Sequence, residues 1–174
     1  MGVSGSGKTT VGRALAAALK CEFIEGDDYH SDANRKKMAA GIPLTDEDRW
    51  PWLQSLADKI NNVLAEQGTG VVSCSGLKQR YRDVLDRNGV RFVYLKISPE
   101  VGRERLASRG THFFDPSLID SQFAALEEPR QALTIEAGLS VADMVNEILE
   151  RLDESDRARE YSSPACYLHE LEKK

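Results

Sequence analysis

The sequence lacks the features that mark secreted, membrane-spanning and nucleic-acid-binding proteins. Its three cysteines are odd in number and far apart, which argues against a disulfide framework or a zinc site and suits a reducing compartment. No apolar run approaches the roughly 20 residues of a membrane-spanning helix. The formal net charge of −5 disfavours a general role on nucleic acid or on a membrane surface. We therefore expect a cytoplasmic protein with neither nucleic-acid nor membrane partners.

Short apolar segments alternate with amphipathic helical segments along the 174 residues. The apolar pattern predicts strands at residues 22–25, 71–74, 91–97 and 132–135, with helices between them. This alternation is typical of an α/β domain with three layers and a parallel sheet, which binds its ligands beyond the carboxyl ends of the strands. We expect that domain to cover residues 1–154, followed by a polar, loosely held tail at residues 155–174.

Two sequence features predict where the long helix between residues 45 and 68 begins. The segment from Thr45 to Asp48 resembles a capping box in which Asp replaces the usual Glu or Gln. Pro51 is typical of the first turn of a helix, where its missing N–H removes no hydrogen bond. We therefore expect Pro51 to lie in the first turn and Gly68 to end the helix.

The first residues of the chain fit the phosphate-binding P-loop pattern G-x-x-x-x-G-K-[ST]. Its glycines allow successive backbone N–H groups to surround a polyphosphate, and the following helix directs its positive N-terminal end at the same anion. Lys8 is expected to reach the β- and γ-phosphates, and the Thr9 hydroxyl to bind Mg²⁺. The motif predicts a nucleotide-binding protein, and it comprises Gly2, Val3, Ser4, Gly5, Ser6, Gly7, Lys8 and Thr9.

The strand that normally precedes a P-loop is missing, since only Met1 stands before Gly2. Without that strand its two neighbours lose a partner, which leaves several buried backbone groups unpaired at about 1–3 kcal/mol each. Such a loss exceeds the stability of a typical domain. We therefore hypothesise that the functional protein starts upstream and that Met1 is an internal residue at the end of the true first strand.

Charged side chains follow the predicted strands, where an α/β fold places its ligands. Asp27 follows the first predicted strand, and a carboxylate near a phosphate site can orient and deprotonate an acceptor hydroxyl. The cations Arg35, Lys78 and Arg82 exceed what ATP requires, which indicates an anionic acceptor. His112 stands beside two phenylalanines, so it is either a packed loop anchor or a ligand. The pattern favours phosphoryl transfer to a small acidic molecule.

Several segments of the chain occur together, and in the same order, in one kinase family. They are the P-loop, residues 26–30 (Gly-Asp-Asp-Tyr-His), 34–38, 41–49, 74–78 (Cys-Ser-Gly-Leu-Lys), 81–83 and 112–114. In these segments the chain resembles the gluconate kinase (gluconokinase) family, and the resemblance covers residues 2–152. It implies ATP-dependent phosphorylation of D-gluconate to 6-phospho-D-gluconate. It also implies a P-loop kinase fold related to shikimate and nucleoside monophosphate kinases, with strand order 2-3-1-4-5, and commonly a homodimer.

The resemblance also implies roles for individual residues. The P-loop with Lys8 and Thr9 would hold ATP and Mg²⁺, and Asp27 would contact the acceptor hydroxyl. Arg105 and Arg109 would bind ATP from a lid at residues 105–127. Candidates for contacts to gluconate are Asp27, Arg35, Arg49, Lys78, Arg82 and His112. Ser75 stands where other P-loop proteins carry an acidic Mg²⁺ ligand, so Thr9, ATP and water are expected to hold the ion.

Two alternatives remain open at this point. The first is a kinase for another small acceptor, such as shikimate or a different sugar acid, although the segments at residues 26–30 and 74–78 are not those of shikimate kinases. The second is a non-catalytic nucleotide-binding protein. The presence of Lys8, Thr9 and Asp27 argues against this second alternative.

Overall fold

The computed structural model describes residues 1–66, 68–108 and 118–161, except for the side chains of residues 155–161. All four predicted strands are present within one residue or two of their expected bounds. A 3₁₀ turn covers Gly26–Tyr29. In chain order the helices and strands are α1 Lys8–Leu19, β1 Glu22–Glu25, α2 Asp32–Ala39, α3 Asp46–Glu66, β2 Gly70–Ser73, α4 Gln79–Leu85, β3 Val93–Lys96, α5 Pro99–Ser108, α6 Leu118–Ala125, β4 Leu133–Glu136 and α7 Val141–Tyr161.

The strands form two parallel pairs, which the N-terminal residues join. β1 pairs with β2, and β3 pairs with β4. The Met1 nitrogen donates to Val93 O at 2.5 Å, and Leu95 N donates to Met1 O at 2.9 Å. On the other side Gly2 N donates to Ser75 O at 3.1 Å. The order is therefore β1, β2, the N-terminal segment, β3 and β4, which is the predicted order with a short segment at the central position.

Helices cover both faces of this sheet and complete the three predicted layers. On one face α1 and α7 pack over the strands through a core that includes Val11, Leu15 and Ile148. On the other face α3 and α4 form a second core around Leu53 and Leu56. These side chains are buried because they repeat on one side of each helix, which turns a continuous apolar face toward the strands.

An apolar cavity of about 790 Å³ lies between the two pairs of strands. Its walls include Leu15 of α1, Val63 of α3 and Ile148 of α7, and it also touches β2 and β3. Met1 also lines this cavity.

The start of α3 agrees with the predicted capping box but not with the expected role of Pro51. Asp48 N donates to Thr45 Oγ1 at 3.2 Å, and Thr45 N donates to Asp48 Oδ2 at 3.0 Å. This reciprocal cap begins the helix at Asp46, so Pro51 lies inside it rather than in the first turn. The prediction for Pro51 was therefore wrong, because a complete capping box further upstream fixed the helix start.

The first residues of the predicted C-terminal tail, 155–161, are helical, and the loosely held tail at residues 155–174 stays a prediction. Helix α7 does not end near residue 154 but continues to Tyr161. The residues after position 154 are polar, yet they include Glu, Arg and Ala and contain neither Gly nor Pro before Tyr161. Since these are good helix formers, polarity alone does not end the helix. Residues 162–174 lie outside the described residues.

The turn that carries Asp27 is held by a buried aromatic contact. Trp52 of α3 donates its indole N–H to Gly26 O at 2.7 Å, and the His30 ring stacks on Trp52 with centroids 4.2 Å apart. Gly26 is required there, because a Cβ would lie 2.2 Å from the carbonyl oxygen of Ser73. Burial, reinforced by the charges of Arg49 and Arg35, lowers the pKa of His30 to about 4.

The depressed pKa of His30 predicts a pH-dependent stability. Between about pH 6.5 and 4 the unfolded chain binds a proton at His30 while the folded protein does not, so the free energy of unfolding falls as the pH falls. The loss should reach up to about 3 kcal/mol. We expect NMR titration to show an imidazole pKa far below 6.5, and urea unfolding of His30→Gln to lose this part of the pH dependence. A His30 ring that titrates near 6.5 would contradict the prediction.

Candidate active site

The P-loop has the shape of an anion-binding nest at the start of α1. Residues 3–6 form a turn in which Ser6 N donates to Val3 O at 3.3 Å. Gly5 occupies the left-handed region of this turn, with φ 80°, and a Cβ there would lie 3.0 Å from Gly102 O. Lys8 extends back across the turn and donates its Nζ to Val3 O at 3.0 Å. The sequence therefore folds here as the motif predicts.

The N-terminal end of α1 provides a positive potential beside this turn. The helix starts at Lys8, and no side chain caps its first N–H groups. Its first turn also contains no acidic residue. Because the first N–H groups of a helix have no intrahelical partners, this end can bind a phosphate or another anion.

A cavity of about 220 Å³ opens in front of the P-loop and gathers residues from six parts of the chain. Asp27 is exposed at the end of β1, and Arg49 reaches the cavity from the first turns of α3. His30 lies in the wall, and its low pKa means that it contributes a neutral ring at pH 7. Its polar and charged lining residues are Ser4, Lys8, Thr9, Asp27, His30, Arg49, Ser75, Ser121 and Gln122.

Glu25 is a candidate functional residue that the sequence analysis missed. Thr9 donates its hydroxyl to Glu25 Oε2 at 2.7 Å, and Ser73 donates its hydroxyl to Glu25 Oε1. Glu25 is the last residue of β1 and pairs with Ser73 of β2, so both lie at the carboxyl end of the sheet. That position was the available signal, because ligand-binding groups follow the strands of such sheets.

Gln122 and Arg105 approach the P-loop from α6 and α5. Gln122 Oε1 accepts from Ser4 N at 2.7 Å, and Gln122 Nε2 donates to Ser4 Oγ at 3.1 Å. Arg105 donates to Gly5 O at 3.3 Å and to Ala137 O at 2.6 Å. The predicted nucleotide ligand Arg105 therefore lies beside the P-loop. No pattern in the sequence indicated Gln122, and the predicted ligands Arg109 and His112 lie outside the described residues.

Two of the predicted substrate ligands are bound to other groups of the protein and do not line the described cavity. Arg35 donates to His30 O at 3.0 Å and to Asp28 O at 2.6 Å. Lys78 forms an ion pair with Asp46 at 2.9 Å. Neither is among the described residues that line the cavity in front of the P-loop. Arg49 is thus the predicted substrate cation that the structure brings to Asp27.

Arg82 is buried, with an exposed fraction of 3%. Its guanidinium donates to Gly76 O at 2.8 Å, to Leu77 O at 3.1 Å and to Gln79 Oε1 at 2.8 Å. Burial lowers the pKa of Arg82, although nearby acidic residues oppose the effect. These contacts hold the loop after β2, which carries Ser75 into the cavity wall. In this arrangement Arg82 supports the site from behind the loop.

The described part of the chain contains neither a membrane-spanning helix nor a cluster of typical metal ligands. No helix there is long and apolar enough to cross a bilayer. Within residues 1–66, 68–108 and 118–161, no three His, Cys, Asp or Glu residues cluster as a metal site. A divalent ion at this site would therefore need oxygen ligands from hydroxyls, phosphates and water as well.

Residues 4–157 match the shikimate kinase family model. A probable gluconokinase from Dictyostelium discoideum is 42% identical over 163 residues, covering 87% of this chain and 82% of that protein. The thermosensitive gluconokinase of Escherichia coli (strain K12) is 46% identical over 132 residues, covering 75% of this chain and 71% of that protein. Both similarities extend over most of the chain.

The crystal structure of a gluconokinase from Sinorhizobium meliloti 1021 has the same fold. It aligns with a TM-score of 0.83 at 42% identity and covers 94% of each chain. The parallel strands, the P-loop at the start of α1 and the helices on both faces agree with the α/β P-loop kinase fold predicted from the sequence. The chain therefore belongs to the gluconokinase family of P-loop kinases.

Proposed function

We propose that this protein transfers a phosphoryl group from ATP to D-gluconate and forms 6-phospho-D-gluconate. The observation that carries the proposal is the convergence of Asp27 and Arg49 on one cavity with Lys8 and Thr9 of the P-loop. A carboxylate, an acid-binding cation and a phosphate nest are what phosphoryl transfer to a sugar acid requires. The curated relatives support the same reaction, because they carry gluconokinase names.

Asp27 is the proposed group that contacts the acceptor hydroxyl. Its carboxylate is exposed to the cavity on a turn that Trp52 and His30 hold in place. It is therefore free to accept a hydrogen bond from the hydroxyl, to orient its oxygen toward the phosphoryl group and to take its proton during transfer. The fixed turn keeps this geometry without reorganisation at each turnover.

The P-loop residues are the proposed binding site for the ATP phosphates. The uncapped start of α1, the left-handed Gly5 and the Lys8 ammonium together form a site that fits a polyphosphate. Lys8 offsets negative charge on the phosphates, and Arg105 adds a second cation beside Gly5. These cations lower the energy of the transition state because they stabilise the negative charge on the phosphates.

We further propose that Thr9 and Glu25 hold hydrated Mg²⁺ next to the phosphates. The Thr9 hydroxyl and the Glu25 carboxylate lie in direct contact at 2.7 Å, and oxygen donors of this kind suit Mg²⁺. When bound, Mg²⁺ neutralises charge on the phosphates. Glu25 orients the Thr9 hydroxyl, and Ser73 fixes the Glu25 carboxylate, which would accept hydrogen bonds from the hydration shell of the ion.

Arg49 is the proposed partner of the gluconate carboxylate. It is half-buried in the cavity wall, and its guanidinium lies 5.6 Å from the centre of the Tyr81 ring. This cation–π contact limits the freedom of the Arg49 side chain, which favours a two-point contact with a carboxylate. Arg35, Lys78, Arg82 and His112 stay predictions as substrate ligands, as do Arg109 as an ATP ligand, the homodimer and the cytoplasmic location.

A kinase for shikimate or another small sugar acid is the second candidate, which the match to the shikimate kinase family model favours. A coupled assay of ADP release with ATP, Mg²⁺ and a panel of D-gluconate, other aldonates and shikimate separates the two. We expect the highest kcat/KM with D-gluconate. A higher value with shikimate would replace the proposed function, and ATP binding without turnover on any acceptor would indicate a non-catalytic protein.

Asp27→Asn should lower kcat for gluconate by at least about 10²-fold, because it removes the base from the acceptor hydroxyl. The KM for ATP should change little. Asp28→Asn is the matched control, since this neighbouring carboxylate is exposed and does not line the described cavity. Equal kcat values for Asp27→Asn and the unmodified protein would exclude Asp27 as the base.

Glu25→Gln should raise the Mg²⁺ concentration for half-maximal activity by roughly 10-fold or more, because the residue beyond a metal ligand sets that ligand's orientation and basicity. Initial rates measured over a range of free Mg²⁺ at saturating ATP check this. Glu22→Gln is the control on the same strand, where the carboxylate pairs with Lys59 instead. An unchanged Mg²⁺ requirement would disprove the role of Glu25.

Arg49→Gln should raise the KM for gluconate by roughly 10- to 100-fold, because it removes a charged hydrogen bond to the substrate. Arg49→Lys should recover only part of the affinity, since an ammonium lacks the two-point geometry. The KM for ATP serves as the internal reference. Arg103→Gln is the control, since Arg103 is exposed and pairs with Asp120. A uniform loss of affinity for both substrates would contradict a specific contact with gluconate.

A further inference from the structure

Gln122 binds the P-loop from α6, a helix 118 positions away in sequence. Its amide oxygen accepts from Ser4 N at 2.7 Å, and its amide nitrogen donates to Ser4 Oγ at 3.1 Å. One side chain therefore holds both the backbone and the side chain of Ser4. Both hydrogen bonds have ordinary lengths, so each end of the amide has a partner on Ser4.

Ser4 lies at the first central position of the turn that shapes the phosphate nest. The turn is closed by Ser6 N and Val3 O at 3.3 Å, and Lys8 Nζ binds the same carbonyl. Because the peptide group is planar, fixing the Ser4 N–H fixes the orientation of the peptide between Val3 and Ser4. The turn leads directly into the N–H groups at the start of α1, so their direction depends on it.

Helix α6 is firmly packed, which makes Gln122 a fixed support. Leu118 and Ile119 of this helix are buried. The Ile119 side chain packs closely over Gly102 of α5, where an added Cβ would lie 2.6 Å from Ile119 Cδ1. A hydrogen-bonding group on a packed helix positions its partner more accurately than a group on a loop.

We propose that Gln122 is a positioning residue for ATP binding, which holds Ser4 so that the N–H groups of the P-loop are preorganised for the phosphates. The proposal rests on the proposed function, in that it assigns ATP to this nest. Without the amide, Ser4 N–H loses its acceptor and the turn gains conformational freedom. Binding of the phosphates then has to order the turn, which weakens affinity for ATP.

The test measures the Kd of ATP by titration calorimetry for the whole chain and three variants. Gln122→Met keeps the size of the side chain but removes both hydrogen bonds. Ser4→Ala removes only the hydroxyl contact. Gln54→Met is the matched control, because this glutamine is exposed on α3, donates to Asp58 Oδ1 at 3.0 Å and is not among the described residues that line the cavity. The double variant Ser4→Ala with Gln122→Met tests whether the two residues act together.

We expect Gln122→Met to weaken ATP binding about 10-fold and Ser4→Ala to weaken it about 3-fold, as two ordinary hydrogen bonds and one would. The double variant should match Gln122→Met, and Gln54→Met should match the unmodified protein. A lower melting temperature for Gln122→Met with an unchanged Kd would overturn the proposal, since it indicates a merely structural contact.

The kinetics of gluconate phosphorylation provide a second readout. The KM for gluconate should change less than about twofold in Gln122→Met, because a positioning residue of the nest acts on ATP. A raised KM for gluconate with an unchanged Kd for ATP would overturn the proposal and make Gln122 a substrate ligand. If gluconate is not the acceptor, the Kd for ATP still decides the role of Gln122, so the two proposals fail separately.

Discussion

Three backbone hydrogen bonds join the two halves of this sheet, and the position of the P-loop depends on them. Met1 binds Val93 and Leu95 on one side, while Gly2 binds Ser75 on the other. The P-loop begins at the residue that makes the last of these bonds. The large apolar cavity lies directly beside this junction. Gln122 of α6 and Arg105 of α5 also contact the phosphate nest directly.

The parallel arrangement of the strands explains how the functional side chains come together at one site. Parallel strands bring Glu25, Ser73 and Ser75 to one edge, and the turn after β1 carries Asp27 there. Side chains buried behind this edge fix the loops that carry the reactive groups, as Trp52 does for Asp27 and Arg82 for the loop after β2. The reactive side chains are thus positioned by hydrogen bonds from buried side chains to the backbone of their loops, rather than by a dense network of charges.

The sequence predicted the features that depend on local pattern. The P-loop, the capping box at Thr45 and the strand positions follow from nearby residues, and the structure agrees with them. Features set by distant contacts were missed or misjudged. Gln122 meets Ser4 only after folding, and Arg82 is an arginine whose burial behind a loop no pattern revealed. The prediction for Pro51 was wrong because the capping box upstream fixes the helix start. Helix α7 continues to Tyr161 through polar residues.

The cavity in front of the P-loop is proposed to select gluconate as the acceptor of the ATP phosphoryl group. The most direct test incubates the protein with ATP, Mg²⁺ and equal concentrations of D-gluconate and shikimate, and identifies the phosphorylated product by ³¹P NMR. We expect 6-phospho-D-gluconate as the dominant product, with its ³¹P signal coupled to the protons of a CH₂ group. Phosphorylated shikimate as the main product, or inorganic phosphate alone, would contradict it.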